Sequence, residues 1–228
     1  MFEFLFIDLD DTVLDFKKAE QTAIRKTLSD AGLNPTDSVC QRYSQINDMY
    51  WKMLERGELT RPQVLVGRFR VLFEEFSVPA DPEQTAQAYM NNLSQGHYFL
   101  PGAEEALEKL SKKYRLFLAS NGTASVQRSR LKSANISRYF ESIFISQDIG
   151  VNKPAKEYFT KCFEQIADFD PAKAMIVGDS LTSDIQGGKN AGIATCWVNP
   201  GHKECALEQK PDFEIESISQ LEGLLARL

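Results

Sequence analysis

The chain's 228 residues, 43% of them hydrophobic and 25% charged, provide the apolar material for one large domain or for a core with an insert. A net charge of -6 leaves no broad basic surface, which excludes a nucleic-acid polymer or an anionic membrane as partner and confines any phosphate recognition to a compact local site. Cys40, Cys162, Cys196 and Cys205 form no Cys-x-x-Cys pair, and no segment reaches the ~20 apolar residues of a membrane span, so the expectation is a reduced, cytoplasmic protein, monomeric or homodimeric, without a zinc site or disulfide frame.

The first element is the run FLFIDLDDTVLDF (Phe4 to Phe16), an apolar strand that ends in a cluster of aspartates. From Lys17 to Gln95 no convincing strand follows. Helical periodicity covers Ala19 to Ala31, Ser38 to Glu55, Arg61 to Phe76 and Asp81 to Gln95, punctuated by Pro35, Pro62, Pro79 and Pro82. From Tyr98 onward the texture changes. Strand candidates Tyr114 to Ser120, Ser142 to Ser146, Ala174 to Ser180 and Ala194 to Asn199 alternate with helix candidates Ala103 to Lys113, Ser125 to Ala134, Ala155 to Ala167 and Ser183 to Ala191. This rhythm predicts an α/β fold with a doubly wound, Rossmann-like parallel sheet formed by residues 1-16 and 97-228. A four-helix cap domain, 17-96, is inserted after the first strand, where it is expected over the carboxyl edge at which such sheets bind ligands.

Carboxylates about 4 Å apart repel by roughly 4 kcal/mol at an effective dielectric of about 20, so the aspartate cluster calls for a cation. Strand alternation sends Asp8 and Asp10 to the same side, with Leu9 pointing away. One carboxylate can then attack an electrophile while the other handles a proton, and Mg²⁺ suits the oxygen donors. The other strand ends add Ser120, Asn121 and Gly122 as an anion cradle before a helix, Lys153 as a neutralising ammonium, and Asp179 and Asp184 as further carboxylates for a metal and its waters.

At these residues the sequence resembles the haloacid dehalogenase superfamily, through DLDDT (Asp8 to Thr12), ASNGT (Ala119 to Thr123), NKP (Asn152 to Pro154) and GDSLTSD (Gly178 to Asp184) in the family's order. The resemblance implies a Mg²⁺-dependent phosphohydrolase that works through an aspartyl phosphate. Asp8 is then the nucleophile, Asp10 the acid and base, and Thr12 a support for the loop. Ser120, with the amides of Asn121 and Gly122, is implied to bind the phosphoryl group, and Lys153 to balance charge. Mg²⁺ is implied to lie on Asp8, the backbone carbonyl of Asp10, and Asp179, with Asp184 as a nearby or water-mediated partner. Asp10 separates the chain from the family's true dehalogenases and from its P-type ATPases, which lack this aspartate. Asp11, where many members carry glycine, reads as a turn residue.

The runs YFLPGAEEAL, SNGTASVQRSRL, SDIQGGKNAGIATCWVN and, within the insert, GELTRPQVLVGRF are similar to the bacterial pyrimidine 5'-nucleotidases. That likeness implies a small nucleoside monophosphate as substrate, including noncanonical analogues. A broad sugar-phosphate phosphatase or a phosphosugar mutase resembling β-phosphoglucomutase would share the same core. Tyr43, Tyr50, Trp51, Phe69, Phe73 and Trp197 read as packing residues, His97 and His202 as turn or surface residues. Arg68 is read equally as a phosphate or base contact and as the partner of a carboxylate on a neighbouring helix.

Overall fold

The computed structural model describes all 228 residues and divides into two compact units, Met1–Asp15 with His97–Leu228, and Phe16–Gly96. In chain order the elements are β1 (Phe4–Ile7), α1 (Phe16–Asp30), α2 (Asp37–Glu55), α3 (Arg61–Phe76), α4 (Pro82–Leu93), α5 (Ala103–Ser111), β2 (Arg115–Ser120) and α6 (Ala124–Ser133). They continue with β3 (Ser142–Ile145), the single turn α7 (Ser146–Ile149), α8 (Lys156–Phe163), β4 (Ala174–Gly178), α9 (Gln186–Ala191), β5 (Ala194–Val198), β6 (Phe213–Ile215) and α10 (Leu221–Leu225).

The first unit is a six-stranded parallel sheet in the order β3-β2-β1-β4-β5-β6. Period-2 alternation gives each strand two apolar faces. Leu5, Ile7, Leu116, Leu118, Met175 and Val177 pack on one side with Leu107 and Leu110 of α5 and Leu221 of α10. Phe4, Phe6, Phe117, Phe144 and Ile176 pack on the other with Tyr158, Phe159 and Cys162 of α8. The chain moves from β1 through β2 to β3, then returns to the far side of β1 for β4, so the strand order reverses beside β1. Ligands of open α/β sheets bind at such a reversal. The short edge strand β6 and the last helix α10 have no counterpart among the predicted elements, because three and five residues are too few to display a period.

The second unit is four helices. Asp81 caps α4 by accepting from the amides of Glu83 (2.8 Å) and Gln84 (3.2 Å), and Pro62 and Pro82 sit in first turns, where a missing N–H costs nothing. Tyr43, Phe69 and Tyr89 form its aromatic centre, with ring centroids 5.2 to 5.6 Å apart. The helical unit begins at Phe16, the first residue of α1, one residue before the expected boundary. Arg68 is buried there and donates to Asn47 Oδ1 at 2.5 Å, with its guanidinium 4.7 Å from the centroid of Tyr89. Its Nε also donates to the Leu65 carbonyl (3.3 Å), so its partners within the unit include a side-chain amide, a backbone carbonyl and aromatic faces.

Candidate active site

Asp8 follows β1 at the sheet's carboxyl edge, its amide donating to the carbonyl of Val177 on β4 (2.9 Å). Its Oδ1 accepts from Lys153 Nζ at 2.8 Å. The same ammonium donates to Asp184 Oδ1 (2.6 Å) and to the carbonyl of Ala119 (2.5 Å), so all three of its hydrogens are engaged. Lys153 comes from the loop before α8, and Asn121 at the end of β2 fixes that loop from both sides. The Asn121 amide donates to the Lys153 carbonyl (2.8 Å), and its Oδ1 accepts from the Lys153 amide (2.9 Å).

After β4 the chain makes a π-helical turn, Leu181–Ile185, that returns Asp184 to the strand end, where its Oδ2 accepts from the Ser180 amide at 3.1 Å. A Cβ on Gly178 would lie 2.2 Å from that oxygen, so the glycine is needed for the close approach. Trp197 on β5 packs as expected and also donates from Nε1 to the carbonyl of Asp179 (2.8 Å). One carboxylate oxygen from each of Asp8, Asp179 and Asp184 lies within 4.8 Å of the others, three hard oxygen donors of the kind that Mg²⁺ takes. Burial pushes the Asp8 carboxyl up to about 8, Lys153 opposing it and Asp184 and Asp10 adding to it. Burial, reinforced by Asp8 and Asp184, raises Asp179 well above the carboxylate range. For Lys153, burial acts to lower the ammonium, but Asp184 and Asp8 outweigh it and hold it above the ordinary lysine value.

Strand alternation stops governing at Ile7. Asp11 takes φ 55°, a left-handed conformation that aspartate tolerates, and the amides of Val13 (3.0 Å) and Leu14 (2.9 Å) both donate to the carbonyl of Leu9. The Asp10 carboxylate consequently has its own partners and is not part of the three-carboxylate group. Gln127 Nε2 donates to its Oδ2 at 2.6 Å, and Arg130 Nη1 donates to its Oδ1. Thr12 is fully buried in the turn, and its hydroxyl makes no hydrogen bond, so packing holds it.

Ser120, 1% exposed, receives two donors: Gln127 Nε2 at 2.8 Å and the amide of Gly122 at 3.1 Å. The Gly122 amide, expected at a phosphate, is thus engaged within its own loop. Gln127 and Arg130 were not among the residues predicted for the site. They stand three apart on the buried face of α6, and glutamine and arginine on a helix read by default as a solvated face. His202 lies at the surface beside Glu216 (3.1 Å), away from this chemistry.

The haloacid dehalogenase-like hydrolase family matches residues 5–198. The HAD-hydrolase YfnB of Bacillus subtilis is 38% identical over 97% of this chain and 94% of its own. Its crystal structure bound to magnesium superposes with a TM-score of 0.93, covering 98% of both chains. The pyrimidine 5'-nucleotidase PynA of Streptococcus pneumoniae is 37% identical over 96% of this chain and 93% of its own. The pyrimidine 5'-nucleotidase YjjG of Escherichia coli is 31% identical over 99% of this chain and 98% of its own.

Proposed function

The chain belongs to the haloacid dehalogenase-like hydrolase family, and from that premise we propose that it hydrolyses pyrimidine nucleoside and deoxynucleoside 5'-monophosphates, and noncanonical analogues of them, through a phosphoryl group carried on Asp8. The observation that carries the reaction type is the Asp8 carboxylate held on Lys153 beside Asp179 and Asp184. The choice of nucleotide is supported by full-length likeness to two pyrimidine 5'-nucleotidases, which extends through the helical unit. No helix is long and apolar enough to cross a membrane.

The enzyme is a phosphomonoester hydrolase and its cofactor is Mg²⁺. Asp8, Asp179 and Asp184 are the carboxylates that would hold it, and when bound it supplies positive charge that keeps these groups ionised and offsets the phosphoryl charge. In the proposed cycle Asp10 takes up a proton from solvent before the transfer; an Asp8 oxygen then attacks phosphorus as the ester P–O bond breaks, and Asp10 gives that proton to the leaving nucleoside oxygen. Asp10, now a carboxylate, takes a proton from water as that water attacks phosphorus. The bond from phosphorus to Asp8 breaks, and inorganic phosphate leaves with the carboxylate restored. Lys153 holds the nucleophile in place, and Ser120 donates to a phosphoryl oxygen.

The test is phosphate release with MgCl₂ across nucleoside 5'-monophosphates and sugar phosphates, with Asp8→Asn as control. The reading expects deoxyuridine and thymidine monophosphates to be the best substrates and the variant to be folded but inactive. Near-normal turnover by Asp8→Asn would remove the nucleophile assignment. A flat profile would remove the nucleotide assignment, and retention of phosphate until a second sugar phosphate is added would point to a mutase.

A further inference from the structure

Hydrogen-bond accounting around Ser120 points to a residue that no motif names. Arg130 can only donate, so the Gln127 atom it meets at 2.9 Å must be the carbonyl oxygen. That fixes the amide's orientation. The two hydrogens on Nε2 then go to Asp10 Oδ2 (2.6 Å) and Ser120 Oγ (2.8 Å). Ser120 Oγ also accepts from the Gly122 amide (3.1 Å), so both of its lone pairs are occupied. Its own hydrogen goes to no acceptor in the protein and remains as the hydroxyl's one free function.

We propose that Gln127 is a positioning residue that makes the Ser120 hydroxyl an obligate donor toward an incoming phosphoryl oxygen and ties it to the Asp10 carboxylate. A serine hydroxyl is ordinarily free to rotate and to serve as donor or acceptor. Facing a phosphoryl group, which has only acceptors, half of that freedom is unproductive, and the Gln127 amide removes it before the ligand arrives. The same amide couples the group that meets the phosphoryl oxygens to the group that handles the proton. Gly122 gives this arrangement a second, independent mark. A Cβ there would lie 2.4 Å from Gln127 Nε2, 2.5 Å from Cδ and 2.6 Å from Cγ, and φ at this position is not positive. The glycine serves the approach of the glutamine and not a left-handed turn.

The inference rests on Ser120 meeting a phosphoryl group, as in the proposed function, but its test requires no turnover. Inorganic phosphate is titrated calorimetrically, in MgCl₂, into the parent protein, Gln127→Met, Gln127→Glu, Gly122→Ala, Ser120→Ala and the Gln127→Met/Ser120→Ala double variant. Gln127→Met keeps the length and removes the donor. It should weaken phosphate binding by about 10-fold, the size of one hydrogen bond to a charged group, and by less than about 2-fold in the Ser120→Ala background. Gln127→Glu retains the acceptor for Arg130 but sets a second carboxylate against Asp10 Oδ2, so folding is controlled separately by circular dichroism and thermal melting of every variant. The introduced carboxylate captures the serine hydrogen, and Gln127→Glu should cost more than Gln127→Met. Gly122→Ala, which displaces the amide, should reproduce the loss. Equal losses from Gln127→Met with and without Ser120, unchanged affinity in Gln127→Glu, or a parent that binds phosphate no better than Ser120→Ala would each overturn the proposal. Absence of nucleotidase activity with the Gln127–Ser120 coupling intact would instead overturn the proposed substrate and leave this inference standing.

Discussion

Replacing Lys153 with methionine tests the electrostatics on which the site depends. The lysine and Asp184 are each 1% exposed, and the ammonium serves both Asp184 and Asp8, so its removal leaves buried carboxylates without a counter-ion. In the absence of metal, the cheapest response is for one further carboxylate to take up a proton. For a group that ordinarily titrates near 3.9 this costs about 1.4 kcal/mol per pH unit, or about 4 kcal/mol at pH 7. The carbonyl of Ala119 also loses its donor, which adds about 1 kcal/mol at any pH. A carboxyl whose value is raised by folding contributes stability that is fully present below its ordinary value and lost as pH rises. The variant's deficit should therefore be about 5 kcal/mol at pH 7 and shrink to about 2.5 kcal/mol at pH 5. Urea denaturation of both proteins in EDTA measures it. A deficit below about 1 kcal/mol at pH 7, or one that grows on acidification, would refute the reasoning.

Mg²⁺ must displace protons from Asp8, pushed up to about 8, and from Asp179, so the rise in Tm on adding MgCl₂ should be larger at pH 8 than at pH 6 and largely lost in Asp179→Asn; scanning fluorimetry reads both, and a shift independent of pH would contradict it. Gly178→Ala should lose Mg²⁺ binding and activity together, because its Cβ would meet Asp184 Oδ2 at 2.2 Å and Cγ at 2.3 Å; a variant with parental affinity for the metal would show that the close approach is unnecessary. Asp10→Asn should reduce turnover of nucleoside monophosphates by about 10²- to 10⁴-fold while its loss in forming the phosphoryl-enzyme from p-nitrophenyl phosphate, whose leaving group needs little protonation, is smaller. Equal losses in that half-reaction would remove the acid role.

What the sequence made legible were features whose signal is local. Apolar strands ending at Asp8, Ser120 and Asp179 are visible as short β-rich runs that stop at a polar residue, and a parallel sheet places those stops on one edge. The relation of Asp10 to Asp8 was not legible, because the alternation rule ends with the strand at Ile7 and the left-handed Asp11 redirects the chain. Asp184 read as one more acidic residue near a metal; its bond to Lys153 requires the π-helical turn, which has no period of its own to detect. Gln127, Arg130 and the Cβ-sized gaps at Gly122 and Gly178 are tertiary facts. A helix-face glutamine looks solvated until the sheet end that covers it is known, and a glycine's reason is invisible until its neighbour is placed.

The distribution of charge explains why two of the carboxylates, only two residues apart, are given different partners. Asp8, Asp179 and Asp184, when ionised, carry one negative charge more than Lys153 and a monovalent ion could balance, which is the charge a divalent cation offsets. Without that ion, burial and mutual repulsion push the Asp8 and Asp179 carboxyls up, toward holding protons in its place. Proton and Mg²⁺ are thus alternative occupants of one electrostatic demand, and only the second leaves Asp8 ionised for the attack proposed above. Asp10 is held apart from this exchange on Arg130, a cation that does not deprotonate in proteins, and on the neutral amide of Gln127. In the proposed cycle the charge of the attacking Asp8 therefore follows the metal, whereas Asp10 keeps the Arg130 guanidinium beside it. A reaction that asks neighbouring carboxyl groups to attack and to shuttle a proton in the same cycle requires that separation.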